Sequence, residues 1–222
     1  MLWHQFLTNQ GRVSNKWPHY FCVYEQHLRR FRNTSLVLWE IGIQNGGSLQ
    51  LWKQYLGPFA VIVGIDIDPA CAQCAEEQIH IRIGNQNDTA FLQNIINEFG
   101  PPDIVIDDGS HIMNDMKETF FHMYTQMPDN GVYIVEDLHT CYWPEFKGGL
   151  RAQGSFIEIC KNLVDSLNAY HSQGRLKPTS FTDTTYSISF YDSMVVFEKK
   201  KRPKNLKAII TGTLFQENLR ER

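Results

Sequence analysis

Apolar residues along the chain gather into short aliphatic runs, separated by longer stretches in which apolar and polar positions alternate at helical spacing. Residues 36–43 read L-V-L-W-E-I-G-I and residues 61–66 read V-I-V-G-I-D. Residues 79–83, 104–107 and 132–136 repeat the pattern as I-H-I-R-I, I-V-I-D and V-Y-I-V-E. Such runs predict strands buried on both faces. Helical patterns occupy residues 24–31, 49–55, 89–99, 114–127 and 156–170. Ser48 is placed to cap the second of these, Gly57-Pro58 to end it, and Gly100-Pro101-Pro102 to end the third. Strands alternating with helices predict a parallel sheet covered on both faces. Residues 187–191 and 194–198, joined by Asp192-Ser193, predict an antiparallel hairpin that closes it.

Composition narrows the picture. A chain of 222 residues fits one domain with small additions. The expected division is an N-terminal cap segment over 1–34, the main domain over 35–200 and a basic, solvated tail over 201–222. A formal charge of −3 argues against nucleic acid or an anionic membrane as the main partner. No apolar run approaches the roughly 20 residues of a membrane span. The first residues lack the pattern of a signal peptide, and five cysteines read as reduced thiols, so a cytoplasmic setting is expected. Cys71 and Cys74 have no second pair after them, and chance spacing is the favoured reading over zinc or redox chemistry.

The candidate chemistry sits where the strands end. Residues 104–111 read I-V-I-D-D-G-S-H and residues 132–139 read V-Y-I-V-E-D-L-H. Either ending alone could start a turn or cap a helix. Two matching endings separated by one helix-length segment are what a βαβ unit produces. If the two strands are neighbours, Asp107, Asp108, Glu136 and Asp137 converge. Carboxylates crowded together raise one another's pKa, and a hard cation such as Mg²⁺ is the natural compensator. His111 and His139 follow the acids. At the first strand's end, Glu40 and Gly42 lead into Gly46-Gly47, a loop that lets backbone approach a ligand. Gln44 stands where a pyrophosphate loop would have glycine, and Glu40 would repel phosphate but suit a cationic amine. Asp66 ends the second strand, where an acid can accept from both hydroxyls of a ribose.

Glu40-Ile-Gly-Ile-Gln-Asn-Gly46, with Asp66 at the end of the next strand, resembles the cofactor motifs of class I S-adenosylmethionine (SAM) dependent methyltransferases. The resemblance implies a Rossmann-like fold: a mostly parallel seven-stranded sheet with an antiparallel terminal hairpin and helices on both faces. It implies that Gly42, Gly46 and Ser48 cradle SAM with Glu40, that Asp66 binds its ribose, and that Asn85 and Gln86 lie at the adenine. The family often has Asp where Asn85 stands. Asp108-Gly-Ser-His111 with Glu136-Asp137-Leu-His139 is similar to the metal-dependent sugar O-methyltransferases of macrolide and related natural products. That resemblance implies that Asp108, Glu136 and Asp137 hold Mg²⁺ and that His111 is the base, with His139 a second candidate. Asp107 could orient His111, approach SAM or share the metal. The expected acceptor is a small-molecule hydroxyl on a sugar, walled by the N-terminal aromatics and residues 140–149, and the expected assembly a homo-oligomer. Three rivals remain: a nicotinamide-dependent oxidoreductase, a metal-dependent hydrolase or hydroxylase, and a non-catalytic SAM-binding subunit.

Overall fold

A computed structural model describes residues 1–203, 209, 211 and 212; most of the expected basic tail lies outside the described residues. The strands are β1 (Leu36–Ile41), β2 (Ala60–Asp66), β3 (Ile79–Ile83), β4 (Ile104–Asp107), β5 (Val132–Val135), β6 (Thr185–Tyr191) and β7 (Met194–Lys199). They form one seven-stranded sheet in the order β3-β2-β1-β4-β5-β7-β6. β1 to β5 are parallel, and β7 runs antiparallel to β5 and β6. The strand order reverses between β1 and β4, which pair from Leu38↔Ile104 to Ile41↔Asp107. Two neighbouring strands whose following connections leave in opposite directions open a crevice at their carboxyl ends.

The helices are α1 (Leu2–Leu7), α2 (Tyr20–Leu28), α3 (Gly47–Leu56), α4 (Thr89–Phe99), α5 (Met113–Gln126), α6 (Phe156–Leu167) and α7 (Ser180–Thr184). Side chains of a strand alternate between the faces of its sheet. Leu36, Leu38, Ile104, Ile106 and Ile134 therefore meet α1 to α3, while Trp39, Ile41, Val105, Tyr133 and Val135 meet α4 to α6. Each fully buried aliphatic side chain here stabilises the fold by roughly 1.5–3 kcal/mol.

Several expected boundaries shift. Ser48 is not the cap of α3: Gly46, at φ 72°, takes that place, and Ser48 lies inside the first turn with its hydroxyl directed at Glu40. The helix expected at 24–31 starts earlier, at Tyr20, and gives way to a 3₁₀ turn at Arg29–Phe31. The segment after Asp68 is a 3₁₀ turn, Pro69–Cys74, whose Cys71 thiol donates to the Gln44 carbonyl. The helix expected to reach residue 170 stops at Leu167, where the side-chain amide of Asn168 donates to the Val164 carbonyl. Residues 140–149 are partly ordered by 3₁₀ turns at Leu138–Tyr142 and Pro144–Phe146.

Candidate active site

β4 and β5 are hydrogen-bonded neighbours with Asp107 opposite Val135, so the two acidic endings leave the sheet side by side. Strand alternation then separates their carboxylates. Asp107 shares the face of Val105 and Tyr133, where it accepts from Tyr133 Oη at 3.0 Å and Gln86 Nε2 at 3.1 Å. Burial pushes its carboxyl up to about 7, against the pull of those two hydrogen bonds. None of its hydrogen bonds reaches His111. Glu136 lies on the opposite side with Glu40, against α2, and both are fully buried.

The charge of that inner group is met by Lys16. Its ammonium lies 2.7 Å from Asp108 Oδ2, 2.9 Å from Glu136 Oε2 and 3.2 Å from Glu40 Oε1. Burial alone would lower the Lys16 pKa, but the fields of Glu136, Asp108 and Glu40 hold it well above the usual lysine value. Tyr24 Oη donates to Glu136 Oε1 at 2.6 Å, and Ser48 Oγ to Glu40 Oε2 at 2.7 Å. Burial raises the pKa of both glutamates, with Lys16 opposing. Three carboxylates thus share one ammonium, and burial eases their crowding by favouring the protonated form of both glutamates, with the Glu136 carboxyl pushed up to about 8.

Asp108, His111 and Asp137 form an outer group in which one ligand atom from each lies within 4.8 Å of the others. His111 Nε2 is 3.7 Å from Asp108 Oδ1 and 4.0 Å from Asp137 Oδ2. Tyr20 Oη fixes Asp137 Oδ1 at 2.7 Å. Both His111 and Asp137 have left-handed backbone, φ 56° and 53°, a strained state for residues with a Cβ that is found at functional sites. Burial depresses the His111 pKa against the opposing fields of Asp108 and Asp137, so the imidazole is neutral at neutral pH. Asp108 and Asp137, with Glu136 behind them, offer the oxygen donors that a hard divalent cation takes, and the His111 ring stands at their edge. His139 stands apart from this group: its Nδ1 is 2.6 Å from Ser193 Oγ, and its ring packs edge-on to Trp17 and Trp143.

Two cavities meet at these residues. One, of about 370 Å³, runs past Gly42, Asp66, Asn85 and Ser110. The other, of about 520 Å³, is walled by Lys16, Trp17, Glu136, Asp137 and His139. Gln44, Asp108 and His111 line both. Asp66 accepts from the backbone N–H groups of Ile43, Gln44 and Asp68, which hold its pKa low although burial would raise it. Gln86 lines the smaller cavity, but its amide is engaged by Asp107 and by the Ser110 N–H. Glu40, Gly46 and Ser48 line neither cavity. Lys16 and Tyr133 were not among the residues the sequence nominated, and Tyr20 and Tyr24, expected only as N-terminal aromatics of the pocket wall, instead hydrogen-bond Asp137 and Glu136. The signal for Lys16 was indirect: acids gathered at strand ends call for a cation, and for Asp108, Glu136 and Glu40 the chain supplies one of its own.

The strand order β3-β2-β1-β4-β5-β7-β6, with β7 antiparallel between β5 and β6, is the fold of class I methyltransferases. An rRNA methylase from Streptococcus thermophilus shares that fold at 9% identity, with a TM-score of 0.51 over 85% of this chain and 100% of its own. By sequence, the chain is related to sugar-modifying O-methyltransferases. It is 35% identical over 199 residues to the 8-demethyl-8-alpha-L-rhamnosyl tetracenomycin-C 2'-O-methyltransferase of Streptomyces olivaceus, covering 84% of this chain and 52% of that protein. It is 36% identical over 168 residues to the demethylmacrocin O-methyltransferase of Streptomyces fradiae, covering 70% and 42%. The mycinamycin-pathway methyltransferase MycE, solved with Mg, SAH and mycinamycin VI, matches with a TM-score of 0.78 and 30% identity over 90% of this chain and 53% of its own. The chain therefore spans about half the length of the relatives it matches. No family model matches it.

Proposed function

We propose that the chain is a Mg²⁺-assisted methyltransferase that moves a methyl group from SAM to a hydroxyl of a sugar on a glycosylated small molecule. The observation that carries this reading is the meeting of the two cavities at Asp108 and His111. SAM would lie in the smaller cavity, with its ribose at Asp66 and its adenine near Asn85. The acceptor would enter the larger one beside Trp17 and His139. A divalent cation held by Asp108 and Asp137, with Glu136 as a further ligand, would supply Lewis acidity to the acceptor oxygen. His111 is the base: its neutral imidazole takes the hydroxyl proton as the oxygen attacks the methyl carbon. The C–S bond breaks as the O–C bond forms, its electron pair stays on sulfur, and SAH leaves. Tyr20 keeps Asp137 in place, and the left-handed backbone at His111 aims the ring into the junction.

The kinship with the rhamnosyl tetracenomycin-C and demethylmacrocin methyltransferases supports a sugar acceptor. Five unpaired cysteines, four of them buried, support a reducing, cytoplasmic setting. Among the described residues, no helix is long and apolar enough to cross a membrane. The test is calorimetric SAM binding followed by product analysis with rhamnosyl and other deoxysugar glycosides in the presence of Mg²⁺. SAM binding and methylated glycoside are expected. Absence of SAM binding with and without Mg²⁺ overturns the reading and favours a hydrolytic enzyme on this fold.

A further inference from the structure

A lysine buried among carboxylates has two uses. It either completes a permanent ion pair or holds a place that another cation takes. Lys16 is on a segment that reaches the site from outside the sheet. Its ammonium is 2.7 Å from Asp108 Oδ2 and 2.9 Å from Glu136 Oε2, and its side chain is 4% exposed. Those two carboxylates are also the ones that the proposed metal draws upon. Glu40 Oε1, fully buried, has no hydrogen-bonding partner beyond the 3.2 Å ion pair with the same ammonium. One ammonium thus contacts all three acids.

We propose that Lys16 is the resident rival of the divalent cation, sharing Asp108 and Glu136 with it, so that loading the metal displaces the ammonium. The inference rests on the metal reading given above. Two cations drawn to the same oxygens repel each other strongly where water is excluded. The divalent ion has twice the charge, whereas Lys16 is tethered. Arg12, four residues before it, is anchored by a hydrogen bond to the Cys74 carbonyl and an ion pair with Glu76. Tyr24 is anchored in α2 and stays on Glu136. Asn15, Trp17 and Pro18, the neighbours of Lys16, wall the larger cavity. Displacing Lys16 therefore reshapes the acceptor wall, and metal loading is coupled to acceptor entry.

The full chain and its Lys16→Met variant are titrated calorimetrically with Mn²⁺ in the absence of SAM. Removing the rival should tighten Mn²⁺ binding by about tenfold or more. In parallel, reductive methylation followed by mass spectrometry reads the accessibility of Lys16 in the unaltered chain, with half-buried Lys117 as internal control. Saturating Mn²⁺ should raise Lys16 labelling severalfold and leave Lys117 unchanged. Equal or weaker Mn²⁺ binding by the variant, or Lys16 still shielded at saturation, overturns the rivalry while leaving the metal reading intact. If neither the unaltered chain nor the variant gives Mn²⁺ heat, the metal reading itself falls. Should the variant fail to fold, the labelling measurement on the unaltered chain decides the matter alone.

Discussion

Asp66 accepts three backbone N–H groups at once, at 2.9, 3.2 and 3.0 Å, and in doing so ties the β1–α3 turn to the end of β2. Its folded pKa lies below its ordinary value. The stability it contributes is therefore fully present above the unfolded pKa of about 3.9, and is lost as pH falls through the lower folded value. Asp66→Asn should be less stable than the parent at pH 7, and the gap should narrow once the pH drops below about 4. Denaturant melts of both chains across that range check it; a gap that does not change with pH refutes the assignment. His111 predicts a different signature. In the proposed role of base it would touch the reacting proton, so His111→Ala should lower kcat by roughly 10²–10⁴-fold. SAM affinity, measured by calorimetry, should stay unchanged, because the ring lies at the junction and not at the ribose. A loss of SAM binding equal to the loss of rate would give His111 a purely structural part. The placement of Asp66 at the end of β2 and of Asp107 at the end of β4 was legible from the aliphatic runs that lead into them. Lys16 was not, because its partners Asp108 and Glu136 are 92 and 120 positions away.

At the scale of elements, the crevice depends on how closely β1 and β4 can part. Gly42, the first residue after β1, has φ 83°, and a Cβ there would run into the backbone carbonyl of Asp108. Gly100, at the end of α4, has φ 84° with nothing near its missing Cβ. Both glycines have positive φ, and of the two only Gly42 would also bring a Cβ against backbone. Gly100→Ala should cost about 1 kcal/mol from strain alone. Gly42→Ala should cost at least about 2 kcal/mol more, since backbone on both sides must give way. Urea unfolding of both variants measures the difference, and equal costs would show that the crevice is not tightly packed. The bounds expected for β3, β4 and α4 from aliphatic runs and turn residues coincide with those observed. The short α1 and α7 were not foreseen, because six and five residues span too few turns for a period to stand out. The separation of Asp107 from Glu136 was legible in principle. Alternation along β4 and β5 places them on opposite faces, although adjacency in sequence suggested one cluster.

On the scale of the whole molecule, the first 34 residues hold the α2 side of the sheet and the catalytic corner together. Leu2, Tyr20, Phe21, Val23, Tyr24 and Leu28 are buried in the same cluster as β1, β2 and β4. Glu25 accepts from the Leu2 N–H and from Tyr55 Oη, which fixes α1 and α2 against α3. Removing six such side chains forfeits about 9 kcal/mol or more of burial, comparable to the roughly 5–15 kcal/mol by which a whole domain is stable. It also strips Lys16, Tyr20 and Tyr24 from Asp108, Asp137 and Glu136, leaving buried carboxylates without a counter-charge, which is costly in itself. A chain beginning at residue 35 should therefore keep much of its far-ultraviolet circular dichroism but lose cooperative unfolding and bind a hydrophobic dye. Mg²⁺ should not restore it, since a cation replaces the charge of Lys16 but none of the apolar area. Recovery of a cooperative transition on adding Mg²⁺ would mean that the N-terminal segment serves the site electrostatically and leaves the core self-sufficient. Failure to recover would mean that the sheet and its site fold as one unit, with α2 as the common wall of both.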